Sequence, residues 1–275
     1  MSLAMDSQAL EFSCADSGRL HYEMAGSGTP VVLIHGFALD RTLWNPQWPA
    51  VMQRGRAIRY DLRGYGESTL PEGPYDHVAD LRALLAALDA QPAHLVGLSM
   101  GGRVALQLAL EAPTAVRSLT LVDSVLDGYR MSDAWSQQWR AVVALGKGGD
   151  LPGAKRLWLE HELFALTRSR PGPAEALAAM LARYSGWHWQ HADPGGAPAR
   201  PAIELLSTVA VPTLIVVGEH DLPDFHGIAR RLAADIPGST LRVIVGAGHL
   251  PSLEAPREFN DLLLAELAAA EPAAH

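Results

Sequence analysis

The string Gly97-Leu98-Ser99-Met100-Gly101-Gly102 sets a serine among glycines at a point where the pattern of the chain changes. An apolar run, His94-Leu95-Val96, precedes it, and a helical run from Arg103 to Leu110 follows before Pro113 ends it. That order predicts strand, sharp turn, helix. A serine at the apex of so tight a turn is pushed into a strained backbone conformation, and glycines beside it let strand and helix approach closely. The hydroxyl then projects from the carboxyl edge of a sheet, beside a helix N-terminus whose free N–H groups favour developing negative charge. Such a turn requires a sheet behind it.

The remaining apolar runs supply that sheet. Val31-Val32-Leu33-Ile34 is wholly apolar and largely β-branched, the pattern of a strand covered on both faces, and Leu119-Thr120-Leu121-Val122 and Thr213-Leu214-Ile215-Val216-Val217 follow it closely. Ala57 to Tyr60 and Leu241 to Val245 are further strands. Helical spacing marks Val78, Leu81, Leu84, Leu85 and Leu88, a stretch near Gly227 to Ala234, and a last helix from about Pro256 to Ala269. Glu11 to Met24 predicts a hairpin around Asp16-Ser17-Gly18. Strands alternating with helices give an α/β fold with a doubly wound, mostly parallel sheet. From Val125 to Ser207 strand runs vanish, Trp135, Trp139, Trp158, Trp187 and Trp189 cluster, and proline and glycine interrupt short helices. The expected organisation is a core of residues 1–124 and 208–275 with a helical lid, 125–207, inserted.

Composition narrows the function classes. A net charge of −8 with no lysine/arginine block disfavours nucleic acid and anionic membranes as partners. Cys14 is the single cysteine, which removes intrachain disulfides and thiolate metal clusters and fits a reducing compartment. The first residues lack a basic start and a signal-length apolar core, and no apolar run spans a bilayer, so the expectation is a cytoplasmic protein.

Two strand ends beyond the insertion complement Ser99. Val216-Val217-Gly218-Glu219-His220-Asp221 puts a carboxylate past one strand, and Val245-Gly246-Ala247-Gly248-His249 puts an imidazole past the next. In a doubly wound sheet both loops share the edge from which Ser99 projects. A serine hydroxyl needs a base with a pKa near the working pH, which is histidine's niche, and a carboxylate must fix the imidazole's tautomer. Asp123 also ends a strand and rivals Asp221 for that role. The spacing favours Asp221 and leaves Asp123 as a capping or loop residue. His220 is expected at the surface.

Four strings together, His35-Gly36-Phe37, Asp61-Leu62-Arg63-Gly64-Tyr65-Gly66-Glu67-Ser68, the Gly97 to Gly101 turn and Gly248-His249, resemble the α/β-hydrolase superfamily over nearly the whole chain. The elbow string is similar to that of enol-lactonases and small carboxylesterases. The resemblance implies Ser99 as nucleophile, His249 as general base and then acid, Asp221 as the orienting acid, and the backbone N–H groups of Phe37 and Met100 as an oxyanion hole. It implies a serine hydrolase of carboxylic esters, thioesters or lactones that needs no cofactor and no metal. Candidate substrate contacts are Phe37, Trp135, Trp139, Trp158 and Leu250, with Arg130, Arg140, Arg156, Arg168 and Arg183 available to an anionic substrate. His161, His188 and His191 lack a carboxylate pattern suited to a metal. The competing readings are a carbon-carbon bond hydrolase, against which Leu98 and Leu250 stand, a cofactor-free perhydrolase, and a small-molecule receptor on the same fold.

Overall fold

A computed structural model describes residues 8–196, 198 and 200–271. The first residues, on which the reading of the N-terminus rests, lie outside the described residues. Strands β1 (Gln8–Ser13) and β2 (Arg19–Ala25) form the expected hairpin, followed by β3 (Pro30–Ile34), β4 (Arg56–Tyr60), β5 (Ala93–Leu98), β6 (Val116–Val122), β7 (Thr213–Gly218) and β8 (Thr240–Ile244). They make an eight-stranded sheet in the order β1-β2-β4-β3-β5-β6-β7-β8. β1, β2 and β4 pair antiparallel, and every pairing from β4 through β3 to β8 is parallel. All six residues of β5 and of β7 are buried, which is why these strands read as mostly apolar runs rather than as alternations.

Between strands lie α1 (Trp48–Arg54), α2 (His77–Ala87) and α3 (Met100–Glu111). Between β6 and β7 come α4 (Asp133–Lys147), α5 (Leu151–Leu159), α6 (Ala165–Arg168), α7 (Pro171–Arg183) and α8 (Trp187–Gln190). α9 (Pro223–Asp235), α10 (Pro251–Glu254) and α11 (Pro256–Ala269) complete the chain. Local chemistry sets their starts. Asp76 accepts from the Val78 and Ala79 N–H groups to open α2, and Ser132 accepts from the Trp135 N–H to open α4. α2 buries Leu81, Leu84 and Leu85, the stripe its spacing predicts. Among the described residues no helix is long and apolar enough to cross a membrane.

The chain passes from β3 outward to β4 and then returns to place β5 on the other side of β3. This is the point where strand order reverses, and the crevice outside the carboxyl ends of β3 and β5 is where open α/β sheets gather ligands.

Candidate active site

The elbow follows from sterics at two glycines. A Cβ on Gly97 would stand 2.3 Å from the Gly101 carbonyl oxygen, and one on Gly101 would stand 2.3 Å from that of Ile34. Strand and helix therefore meet at backbone contact, which no larger residue permits. Ser99, between them, has φ 54° and ψ −113°, a conformation rare for a residue with a side chain. Neighbouring strand ends hold it there: its N–H donates to the Val122 carbonyl at 2.9 Å, and its carbonyl accepts from the Val125 N–H at 3.1 Å.

The loop after β3 lies alongside, since Ile34 pairs with Gly97 across the two strands. His35 is buried and uses both ring nitrogens: Nδ1 donates to the Gly36 carbonyl at 2.8 Å, and Nε2 accepts from the Leu62 N–H at 2.9 Å. Burial pushes its pKa down, keeping the ring neutral, as this pair of roles requires. His35 thus ties the Gly36-Phe37 loop to the segment after β4. Among the described residues the backbone N–H groups of Phe37 and Met100 have no hydrogen-bond acceptor. Two free donors flank the serine.

Asp221 and His249 come from the loops after β7 and β8. The His249 Nδ1–H donates to Asp221 Oδ2 at 2.8 Å, and Asp221 Oδ1 accepts from the Leu222 N–H at 2.7 Å. Both side chains are buried, and the Phe225 ring packs 4.4 Å from the imidazole. With Nδ1 donating, Nε2 carries the lone pair. His249 and Ser99 line the same cavity, although no hydrogen bond joins them among the described residues; such bonds tighten when substrate binds. His220 is exposed, as expected.

Asp123 departs from the sequence expectation. It caps no helix and is not an open loop residue: it is buried at the end of β6, with φ 41°, and its Oδ1 accepts from the Gly218 N–H at 2.9 Å. One ligating atom from each of Asp123, Asp221 and His249 lies within 4.8 Å of the other two. That spacing suits a divalent cation in principle, but His249 spends Nδ1 on Asp221, and a hydrogen-bonded chain accounts for the arrangement. Of the other histidines, His188 hydrogen-bonds the hydroxyls of Tyr75 and Tyr184, and His161 accepts from the Leu163 N–H.

The cavity in front of Ser99 and His249 encloses about 300 Å³, and Phe37, Trp135, Trp139 and Trp158 all line it. Phe37 packs edge-on against Trp139 and Trp158 at 5.0 and 5.8 Å, joining the β3 loop to α4 and α5. Leu250 is absent from the wall: it is fully buried beneath the start of α10. The arginines between β6 and β7 are likewise elsewhere. Arg130, Arg140, Arg156, Arg168 and Arg183 are exposed, Arg183 pairing with Asp40 and Arg168 with backbone carbonyls. The guanidinium that does line the cavity belongs to Arg103, 3.4 Å from Asp127. Arg103 stands in the first turn of α3, immediately after Ser99, a proximity that the sequence shows.

Residues 29–256 match the model of the alpha/beta hydrolase fold family. A solved N-acyl homoserine lactone degrading enzyme is 32% identical, with a TM-score of 0.76 over 93% of this chain and 99% of that one. A thermophilic esterase from Thermogutta terrifontis is 28% identical, with a TM-score of 0.81 over 96% of this chain and all of that one. The dihydrolipoyllysine-residue acetyltransferase component of the acetoin cleaving system of Pseudomonas putida is 33% identical over 264 residues, covering 90% of this chain and 65% of the relative.

Proposed function

The chain belongs to the alpha/beta hydrolase fold family and is a hydrolase, and from that premise we propose that it cleaves a carboxylic ester, thioester or lactone through an acyl-enzyme on Ser99. The observation that carries this reading is the 2.8 Å hydrogen bond from His249 Nδ1 to Asp221, made in the wall of the cavity that also holds Ser99. In this reading His249 Nε2 accepts the Ser99 proton as Oγ attacks the carbonyl carbon. Asp221 holds the imidazole in the required tautomer and stabilises it once it is charged. The Phe37 and Met100 N–H groups receive the oxyanion, a contribution of about 3–4 kcal/mol per donor in related chemistry. His249 then gives the proton to the leaving alcohol, thiol or lactone oxygen, and water repeats the sequence to free the acid.

The helices between β6 and β7 act in this proposal as the lid, with Trp135, Trp139 and Trp158 presenting an apolar wall to the acyl group. The similarity to an esterase and to a lactone degrading enzyme supports that substrate class. A fluorophosphonate ester tests the chemistry, because it phosphonylates a serine only where a base activates it. The expected product is one adduct per chain, on the peptide containing Ser99, strongly slowed by His249→Ala. An adduct on another residue, or none, would contradict the proposal.

A further inference from the structure

Asp123 is the buried group that the proposed chemistry leaves unused. Its Oδ1 has a partner in the Gly218 N–H, whereas its Oδ2 is sealed from solvent with no hydrogen-bond donor near it. What does lie near is a second carboxyl, Asp221, with both oxygens already accepting N–H groups from Leu222 and His249. The charged and titratable groups felt at Asp123 are Asp221 from the β7 loop and Glu254 from α10, with His249 in the same cluster. Glu254 is itself satisfied, accepting from the Gly248 N–H and the Thr167 hydroxyl at 2.5 Å each. Two ionised carboxylates side by side in a buried site repel, and a proton held by one of the two relieves that repulsion. Two N–H groups already donate to Asp221, one to each oxygen, which favours the negative charge there, whereas no donor reaches Asp123 Oδ2, so the proton belongs to Asp123. Asp123 Oδ2 has the vacancy.

We propose that Asp123 is a neutral carboxylic acid whose Oδ2–H donates to Asp221, making it a positioning residue that fixes the orienting carboxylate and draws off part of its charge. Burial first, then the negative charge of Asp221, push the Asp123 carboxyl well above the usual carboxylate range, in the same direction as the geometry. Asp221 then receives three hydrogen bonds, from Leu222, His249 and Asp123. Its plane is locked, and the negative charge that His249 meets is reduced. The role of Asp123 toward His249 rests on the serine-hydrolase reading; its protonation does not.

Asp123→Asn preserves a neutral group that can donate to Asp221 and accept from Gly218, whereas Asp123→Ala removes both. The carbonyl stretch of a protonated carboxylic acid is expected in the infrared difference spectrum between wild type and Asp123→Asn at neutral pH. Absence of that band overturns the protonation whatever the reaction proves to be. For ester hydrolysis, Asp123→Asn is expected within about threefold of wild type in kcat/KM, while Asp221→Asn falls by about 10⁴ as in other orienting carboxylates. Asp123→Ala is expected to lose about tenfold in kcat with KM little changed, and the acid limb of its pH profile moves to higher pH, because Asp221 keeps more of its charge. Asp123→Asn restores that limb. An Asp123→Asn variant as inactive as Asp221→Asn makes Asp123 the ionised orienting acid and overturns the proposal, as does an unshifted profile in Asp123→Ala. Should Asp123→Ala fail to fold, the infrared band and the Asp123→Asn kinetics decide the matter.

Discussion

At the scale of single residues, the candidate site is a set of polar groups whose partners are chosen by burial. Ser99, Asp221 and His249 were legible in the sequence because each stands next to a glycine-rich strand end, and the order of such ends along the chain survives folding. Asp123, read as a capping or loop residue, does follow β6 but is buried there and caps no helix. Its one-dimensional signature, an aspartate after an apolar run, is the same for a buried acid and a surface loop, and only the third dimension brings it to Asp221. Leu250, expected as a substrate contact, faces the core, and Arg103, for which the sequence suggested no role, lines the cavity, because adjacency to a motif does not fix the direction of a side chain. The neutral Asp123 carries a stability consequence. The unfolded chain ionises it above its ordinary value of 3.8, while the folded chain keeps the proton. The wild type therefore binds one more proton folded than unfolded, and its stability falls with rising pH by up to about 1.4 kcal/mol per unit from this group. The stabilising effect is complete below the ordinary carboxylate range and lost as pH climbs toward the raised value. Asp123→Asn lacks this dependence. Urea unfolding between about pH 5 and 8 is expected to show the variant gaining stability on the wild type as pH rises. A constant difference across that range would contradict a protonated Asp123.

Secondary-structure elements were the most legible level. The last helix spans Pro256–Ala269 as its spacing predicts, and the hairpin, the buried strands and α2 fall where the patterns put them. The helices between β6 and β7 were legible as a change of character but not one by one. Ala165–Arg168 and Trp187–Gln190 are a single turn long, too short to carry a repeating stripe, and neither opens on a side-chain cap. The elbow is the element on which the site depends, and its tolerance is calculable from contact. Gly101→Ala would drive a Cβ to 2.3 Å from the Ile34 carbonyl oxygen, a backbone atom that cannot turn aside. A loss of at least about 2 kcal/mol is expected, since overpacking of this kind typically costs about 1–3 kcal/mol. Gly73 has nothing within 4 Å of its would-be Cβ, so Gly73→Ala should stay within about 0.5 kcal/mol of wild type. Denaturant midpoints of the two variants check this, and equal midpoints would contradict a contact-limited elbow.

For the whole molecule, the alternation of strands and helices was enough to give a parallel α/β sheet, but not the order β1-β2-β4-β3-β5-β6-β7-β8. Strand order depends on pairings between residues far apart in sequence, and local pattern says nothing about which buried strand sits beside which. The order matters to function because it reverses at β3, setting the free N–H of Phe37 beside Ser99, while β7 and β8 bring Asp221 and His249 to the same edge. Each contributes little alone. Together they bring a strained serine, an imidazole hydrogen-bonded to a carboxylate and two N–H groups without an acceptor among the described residues to a cavity of about 300 Å³. Steady-state hydrolysis of a short p-nitrophenyl ester by wild type and by Ser99→Ala decides whether Ser99 is the nucleophile proposed for this assembly. The expected result is turnover by the wild type and a loss of about 10⁴-fold or more in kcat for the variant, leaving the remnant owed to binding and the oxyanion donors. Equal rates for the two proteins would contradict it.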